Sequence, residues 1–233
     1  TTTGGINTFV GHQAGEANTT GSSNVFVGSN AGDANTTAAD NVAVGVNALG
    51  ANTTGHSNTA VGKKALLVST TGSYNTAVGW EAGVGITSGQ SNTLMGQATG
   101  AGITDGESNA FFGMQAGYAT TTGDSNTFLG FRAGDAITTG SNNTAIGRDA
   151  LGAAQTGSAN THVGHDGMKV CTSGTGNTSM GLDATKALTT GNSNTCIGRG
   201  AGTAITTGSS NCSIGISSMA STNTGSGNTC MGN

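Results

Sequence analysis

An unbroken 17-residue period is the feature that most constrains this sequence. Counted from Asn7, every seventeenth residue is Asn, and each is followed four residues later by Gly, from Gly11 to Gly232. The consensus is N-T-(small or aromatic)-(aliphatic)-G-x-x-A-G-x-x-x-T-T-G-x-S, and its positions are called slots 1–17 here. The Asn series is Asn7, Asn24, Asn41, Asn58, Asn75, Asn92, Asn109, Asn126, Asn143, Asn160, Asn177, Asn194, Asn211 and Asn228. The chain is therefore predicted to be one array, residues 1–233, of about 13.7 repeats, and we interpret it as a fragment of a longer chain.

The length of the repeat predicts the fold class. Seventeen residues are too few for two helices and a turn, and the recurring glycines disfavour any helix. Short extended segments separated by Gly, Asn and Thr-Gly turns fit better. The sequence thus predicts an all-β fold, a parallel β-solenoid (a β-roll or β-helix) with one 17-residue coil per repeat. Coils stacked at about 4.8 Å would form a rod of about 65 Å.

Composition excludes several functional classes. Pro is absent, so the 43 Gly residues do not indicate collagen. Only seven residues are Lys or Arg and the net charge is −4, which argues against a nucleic-acid partner. No apolar run is long enough to predict membrane insertion. No nucleophile–His–acid set and no phosphate loop is found, so the sequence predicts neither an enzyme nor a cofactor.

Four slots carry the predicted packing of the coil. Slot 4 is apolar in all 14 copies, from Val10 to Met231, and is predicted to fill the interior, with the small residues of slot 8. The Asn residues of slot 1 are predicted to form a structural ladder, in which each side-chain amide bonds the next Asn along the stack. Positive φ is expected at the Gly of slot 15 and is tolerated by the Asn of slot 1.

Slot 3 predicts contact between chains. In a strand it points away from slot 4, so it should leave the coil, yet it is mostly apolar. The large side chains of this slot are predicted to pack between chains; they are Phe9, Phe26, Leu94, Phe111 and Phe128. Covering such a row favours association with identical chains under closed symmetry.

The repeat resembles those of two groups of fibre proteins. Asn75–Ala82 (NTAVGWEA) and Asn143–Ala150 (NTAIGRDA) are similar to repeats in the heads of trimeric autotransporter adhesins, and still more similar to the N-T-A-I-G-x-x-A-L repeats of tail-fibre proteins of phages and large viruses. The adhesin repeat is usually shorter than 17 residues. The resemblance implies a homotrimeric β-solenoid fibre, extracellular on a virion or cell surface, that attaches to hosts.

Slot 6 is the most variable position, and half of its residues are apolar. Trp80, Met114 and Phe131 are therefore candidate surface contacts. Two interpretations remain open: slot 6 is a ridge that binds a host-surface glycan or protein, or it fills the groove between neighbouring chains.

His and Cys residues give one metal candidate. His162 in slot 3 would meet its copies on a three-fold axis and is the candidate metal ligand, together with His165; the alternative is a polar interruption of the row. We interpret the four Cys residues as small buried side chains, with an interchain disulfide as the alternative.

Three functions follow from these patterns. The first is a structural or adhesive fibre shaft, and the second is a self-assembling extracellular filament. The third is an ice-binding solenoid, suggested by the Thr residues of slot 13. Adjacent Thr residues in slots 13 and 14 point to opposite sides, so only one of the two rows can face outward.

Overall fold

A computed structural model describes residues 3–153, 156–221 and 224–232 and confirms the predicted parallel β-solenoid of 17-residue coils. Each repeat contributes one three-residue strand over slots 2–4. The strands are β1 Thr8–Val10, β2 Val25–Val27, β3 Val42–Val44, β4 Thr59–Val61, β5 Thr76–Val78, β6 Thr93–Met95, β7 Ala110–Phe112, β8 Thr127–Leu129, β9 Thr144–Ile146, β10 Thr161–Val163, β11 Thr178–Met180, β12 Thr195–Ile197, β13 Cys212–Ile214 and β14 Thr229–Met231. The described residues contain no helix with the length and apolar character needed to cross a membrane.

The chain divides into two compact units, Thr1–Gln115 and Ala116–Asn233. The first contains β1–β7 and the second β8–β14. Within each unit, successive strands pair in parallel and in register, slot for slot: Phe9 lies beside Phe26 in the first unit, and Phe128 lies beside Ala145 in the second. The sequence period is thus the structural period of both units.

Within each coil, the chain turns at residues that have a left-handed backbone conformation. Slots 7, 9 and 17 have positive φ in every described copy, as at Gln13 (55°), Leu49 (55°) and Ser23 (58°). The expectation of positive φ at slot 15 is wrong, and the Asn residues of slot 1 do not adopt positive φ either. Slot 15 is Gly for a different reason: a Cβ at Gly72 would lie 2.5 Å from the carbonyl oxygen of Gly89 in the next coil. Close stacking, and not backbone conformation, selects Gly there.

The interior of each coil is lined by slots 1, 3, 8, 9 and 12. Slot 8 is small and buried as predicted, for example at Ala31 and Ala133. Slot 4, which the sequence assigned to the interior, lies on the outside: none of its fourteen side chains is buried. That assignment is wrong, and slots 3 and 4 have exchanged their predicted places.

Threonine in slot 13 links successive coils. In several pairs of coils its Oγ1 donates a hydrogen bond to the slot-13 carbonyl oxygen of the next coil, as from Thr36 to Thr53 and from Thr189 to Thr206. These hydroxyls are therefore used within the solenoid. Slot 14 instead is exposed wherever the structure describes it.

Candidate functional site

The residues that the sequence assigned to contacts between chains lie inside their own coil. Phe26, Leu94, Phe111 and Phe128 are 0% exposed. Phe9, in the first coil, is half-buried and stacks on Phe26, with ring centroids 5.0 Å apart. The interchain-packing prediction for these five side chains is wrong. The alternation of a strand places slots 3 and 4 on opposite sides, but it does not say which side is inside.

Slot 9 complements slot 3 in size, and this was the signal that sequence reasoning missed. A Cβ at Gly32 would lie 2.6 Å from the ring of Phe26, whereas three of the four coils with Ala in slot 3 carry a buried Leu in slot 9; the fourth, with Ala77 and Gly83, has a buried Ile86 in slot 12. The pairs are Phe9/Gly15, Phe26/Gly32 and Phe128/Gly134, and Ala43/Leu49, Ala60/Leu66 and Ala145/Leu151. In each pair one residue is large and the other, six positions away, is small. The two slots therefore share one interior space.

The Asn residues of slot 1 form a hydrogen-bonded ladder in each unit. Within each unit, the backbone N–H of every slot-1 Asn after the unit's first donates to Oδ1 of the preceding one, at 2.9–3.0 Å. The Nδ2 group also donates to the slot-15 carbonyl of its own coil, as from Asn92 to Gly106 at 2.9 Å. Because both ends of the amide are used in this way, the side chain closes its own coil and joins it to the next.

The slot-4 residues form an apolar row on the outside of both units. All fourteen residues are Val, Ile, Leu, Met or Phe, and eight of them are exposed. Leu129 and Met180 each leave 48% of their surface uncovered. Since parallel pairing is in register, these side chains form a straight row in each unit. Contiguous exposed apolar rows are uncommon on monomeric proteins and mark interaction surfaces.

Slot 6 adds further apolar side chains beyond the slot-5 glycine. The candidate contacts Trp80, Met114 and Phe131 are exposed, at 46%, 40% and 39%. Lys63 and Arg148 occupy the same slot in other coils and are exposed as well. Slot 6 is thus a surface row of mixed character, whereas slot 4 is uniformly apolar.

His162 lies in the coil interior, which excludes the predicted position on an axis between chains. It is 0% exposed, and the single Gly of slot 8, Gly167, leaves the room that its imidazole fills. Nδ1 lies 2.6 Å from Oγ of Ser179, and Nε2 has no hydrogen-bond partner. Burial lowers the pKa of His162 to about 4, so the ring is neutral near pH 7.

His165 is on the surface and does not pair with His162. Its Nδ1 lies 3.4 Å from a carboxylate oxygen of Asp166, and ligand atoms of Asp149, His165 and Asp166 lie within 4.8 Å of one another. Arg148 and Lys169 contact the two carboxylates at 3.0 and 2.9 Å. The hydrogen bond from Lys169 lowers the pKa of Asp166. These carboxylates are already neutralised by cations, so the cluster is an ion-pair network.

The four Cys residues are free thiols. Cys171 and Cys196 are buried, and Cys212 and Cys230 are half-buried. Burial raises the pKa of Cys171, and it raises that of Cys196 to about 12. Both buried residues are therefore protonated thiols near neutral pH.

Comparison with known proteins adds no identification. No protein-family model, curated protein or solved structure matches the chain.

Proposed function

We propose that this chain is a segment of a structural, adhesive fibre shaft, in which identical chains associate through their slot-4 rows. The observation that carries the proposal is the uniformly apolar slot-4 row of both units, in which eight of the fourteen side chains are exposed and none is buried. The contact between chains thus moves from slot 3 to slot 4. The resemblance to tail-fibre and adhesin repeats supports a homotrimer that projects from a virion or cell surface and attaches to a host.

A second copy of this chain is the occupant that fits the row. In-register pairing repeats the same apolar contact at every coil, and an identical parallel chain presents a row with the same spacing. No slot-4 residue is charged, so like-charge repulsion does not oppose the contact. A partner without the 17-residue period would match only a few coils.

Stable association through slot 4 requires contact over many coils. Burying the exposed half of one slot-4 side chain contributes on the order of 1 kcal/mol. Seven coils of one unit therefore contribute an amount comparable to the roughly 4–15 kcal/mol cost of association. We expect both units to be needed, and an extended row suits this requirement better than a compact patch.

The test is the oligomeric state of the chain by light scattering and analytical ultracentrifugation. The wild-type chain should sediment as a trimer, and the variant Met95→Asp/Leu129→Asp/Met180→Asp should be a monomer with an unchanged circular dichroism spectrum. The matched control is Thr71→Asp/Thr122→Asp/Thr190→Asp in the exposed slot 14, where Asp105 occurs naturally. It should remain a trimer. A wild-type chain that is monomeric at all concentrations would overturn the proposal.

The two alternative functions lead to different results. A self-assembling filament would use the same row but would grow without a fixed size, which electron microscopy distinguishes from a closed trimer. Ice binding would rely on the exposed slot-14 row, which is mostly Thr. Hydroxyls of slot 13 donate to the backbone, so that row does not add a second free rank of hydroxyls. We therefore favour the fibre shaft.

A further inference from the structure

One coil combines three soft metal-ligand types in its interior. His162 in slot 3, Met168 in slot 9 and Cys171 in slot 12 are all 0% exposed. In each of these slots most other coils carry, respectively, Ala or Phe, Gly or Leu, and Asn or Ile. Among coils whose slots 3, 9 and 12 are all described, this is the one that carries imidazole or sulfur at all three. The coil also has the only Gly of slot 8, Gly167.

The geometry of the repeat brings these three slots together. At Gly202, a slot-9 Cβ would lie 2.5 Å from Sγ of Cys196 in slot 3 and 3.0 Å from Cδ1 of Ile205 in slot 12. At Gly100, the corresponding distances to Leu94 and Ile103 are 3.0 and 2.8 Å. Slot 9 therefore lies between the side-chain ends of slots 3 and 12. By the same register we expect Met168 to lie between His162 and Cys171 in the tenth coil, where Sγ of Cys171 also lies 4.0 Å from the carbonyl oxygen of Gly174.

The hydrogen bonding of the His162 imidazole is compatible with a role as a metal ligand. Histidine ligands almost always donate their other ring N–H to an oxygen, which fixes the tautomer and the ring orientation. With its proton on Nδ1, His162 donates to Oγ of Ser179 at 2.6 Å. Nε2 then presents a lone pair in the interior, where it is fully buried and without a hydrogen-bond partner. A buried polar atom without a partner is uncommon and calls for an explanation.

We infer that the interior of the tenth coil is a binding site for a soft monovalent cation, Cu(I), with His162, Met168 and Cys171 as its ligands. Thiolate and thioether donors select Cu(I) over harder ions. As the Cu–S bond forms, the Cys171 thiol gives up its proton to solvent, so one positive charge replaces another and the site stays neutral. A divalent ion would leave a net charge in an apolar interior, which is costly. The inference does not depend on the fibre function.

The experiment uses a chain in which Cys171 is the only cysteine. Cys196→Ala, Cys212→Thr and Cys230→Ala introduce residues that the repeat itself uses in those slots. Under anaerobic conditions Cu(I), and separately Ag(I), is titrated against a chromophoric competing chelator. We expect one ion per chain. X-ray absorption of the Cu(I)-loaded chain should show two sulfur neighbours and one nitrogen neighbour.

Ligand variants also use residues native to the repeat, so that the coil stays folded. Cys171→Ile and the pair His162→Ala/Gly167→Ala should each lower the affinity at least 100-fold, and Met168→Leu should lower it about tenfold. His165→Gln, which alters only the surface cluster, should leave affinity unchanged. Circular dichroism checks the fold of each variant.

Three results would overturn the inference. They are no binding at micromolar free Cu(I), binding that survives the His162→Ala/Gly167→Ala change, and an absorption spectrum with oxygen or nitrogen neighbours only. Loss of binding in His165→Gln, with full binding in Cys171→Ile, would assign the ion to the surface cluster instead. None of these outcomes bears on the slot-4 contact, because the row lies outside the coil.

Discussion

The ring of Phe128 fills the space beside Gly134: a Cβ added to this glycine would lie 2.5 Å from Cε2 of the ring. In the next coil Ala145 and Leu151 occupy the same two slots, and both are buried. The large side chain has moved from one slot to the other while the interior remains filled. In these two coils slots 3 and 9 thus hold one large side chain between them, and its slot differs from one coil to the next.

This relationship predicts a compensated exchange. Phe128→Ala alone should lower the free energy of unfolding by about 3–5 kcal/mol, because it leaves a cavity. Gly134→Leu alone should also destabilise the coil, since the new side chain overlaps the ring. The double variant reproduces the pair found at Ala145 and Leu151 and should recover most of the loss. Urea unfolding followed by circular dichroism measures all three.

The converse exchange is the control. Ala60→Phe/Leu66→Gly in the first unit should behave like the double variant, while Ala60→Phe alone should be destabilised by overpacking. Leu66 has a φ of 51°, which costs a residue other than Gly about 1–3 kcal/mol, so its replacement by Gly relieves strain. Double variants that are as unstable as their worse single variant would show that slots 3 and 9 do not share one space.

The Asn ladder predicts a local loss of protection. Asn92→Ala removes the acceptor of the Asn109 N–H and the donor to the Gly106 carbonyl. Because each of these two groups loses a buried hydrogen bond, the cost should be about 2–4 kcal/mol. Hydrogen exchange of the Asn109 amide should accelerate more than that of amides in distant coils.

An exposed Asn supplies the comparison for the ladder. Asn142 lies in slot 17, where Ala159 shows that Ala fits the left-handed backbone. Asn142→Ala should therefore cost less than about 1 kcal/mol. Equal losses for Asn92→Ala and Asn142→Ala would mean that the ladder does not stabilise the stack.

The sequence predicted the coil because the same Asn and Gly recur in every rung. Hydrogen bonds along the ladder and the close stacking of Gly72 on Gly89 tolerate no change of spacing, so the period is visible without any structure. The side of the strand that faces inward was not visible. Slots 3 and 4 are both apolar, so Phe128 and Leu129 look alike to a pattern of period two.

Other features could not be predicted from the sequence, because they depend on contacts across the interior of the coil. The left-handed positions fall on residues as different as Gln13, Leu49 and Ser23, so no residue type marks them. The position of His162 inside the coil depends on which side of the strand faces inward. Because the sequence did not show that side, it did not predict this position either. Only the volume exchange between slots 3 and 9 carried that information, and it requires comparison of one repeat with another.

Two glycines of the same region should respond oppositely to the same substitution. Gly28, in slot 5, has a φ of +140°, and a Cβ there would lie 2.5 Å from the carbonyl oxygen of Gly45. Gly28→Ala should cost about 2 kcal/mol or more, because the strained backbone and the clash add.

Gly50 is the matched partner for that change. Its φ lies outside the left-handed region and the nearest atoms to a Cβ are 3.4 Å away. Gly50→Ala should therefore raise stability by about 0.4–1 kcal/mol, through a smaller entropy of the unfolded chain. Thermal unfolding of both variants decides the point, and a stable Gly28→Ala chain would contradict the stacking geometry described for slot 5.

Trp80 can report whether slot 6 is covered in the proposed trimer, because it is the only Trp of the chain and is 46% exposed in the single chain. If slot 6 fills the groove between neighbouring chains, as we expect, the emission of Trp80 should shift to shorter wavelength in the trimer. Iodide should quench it less than in the monomeric Met95→Asp/Leu129→Asp/Met180→Asp variant, since burial excludes the ion. Trp80→Ser should then weaken the trimer without changing the circular dichroism spectrum.

Equal emission and quenching in trimer and monomer would place Trp80 on an open ridge. Loss of host-surface adhesion in Trp80→Ser with an intact trimer would then identify slot 6 as the binding surface.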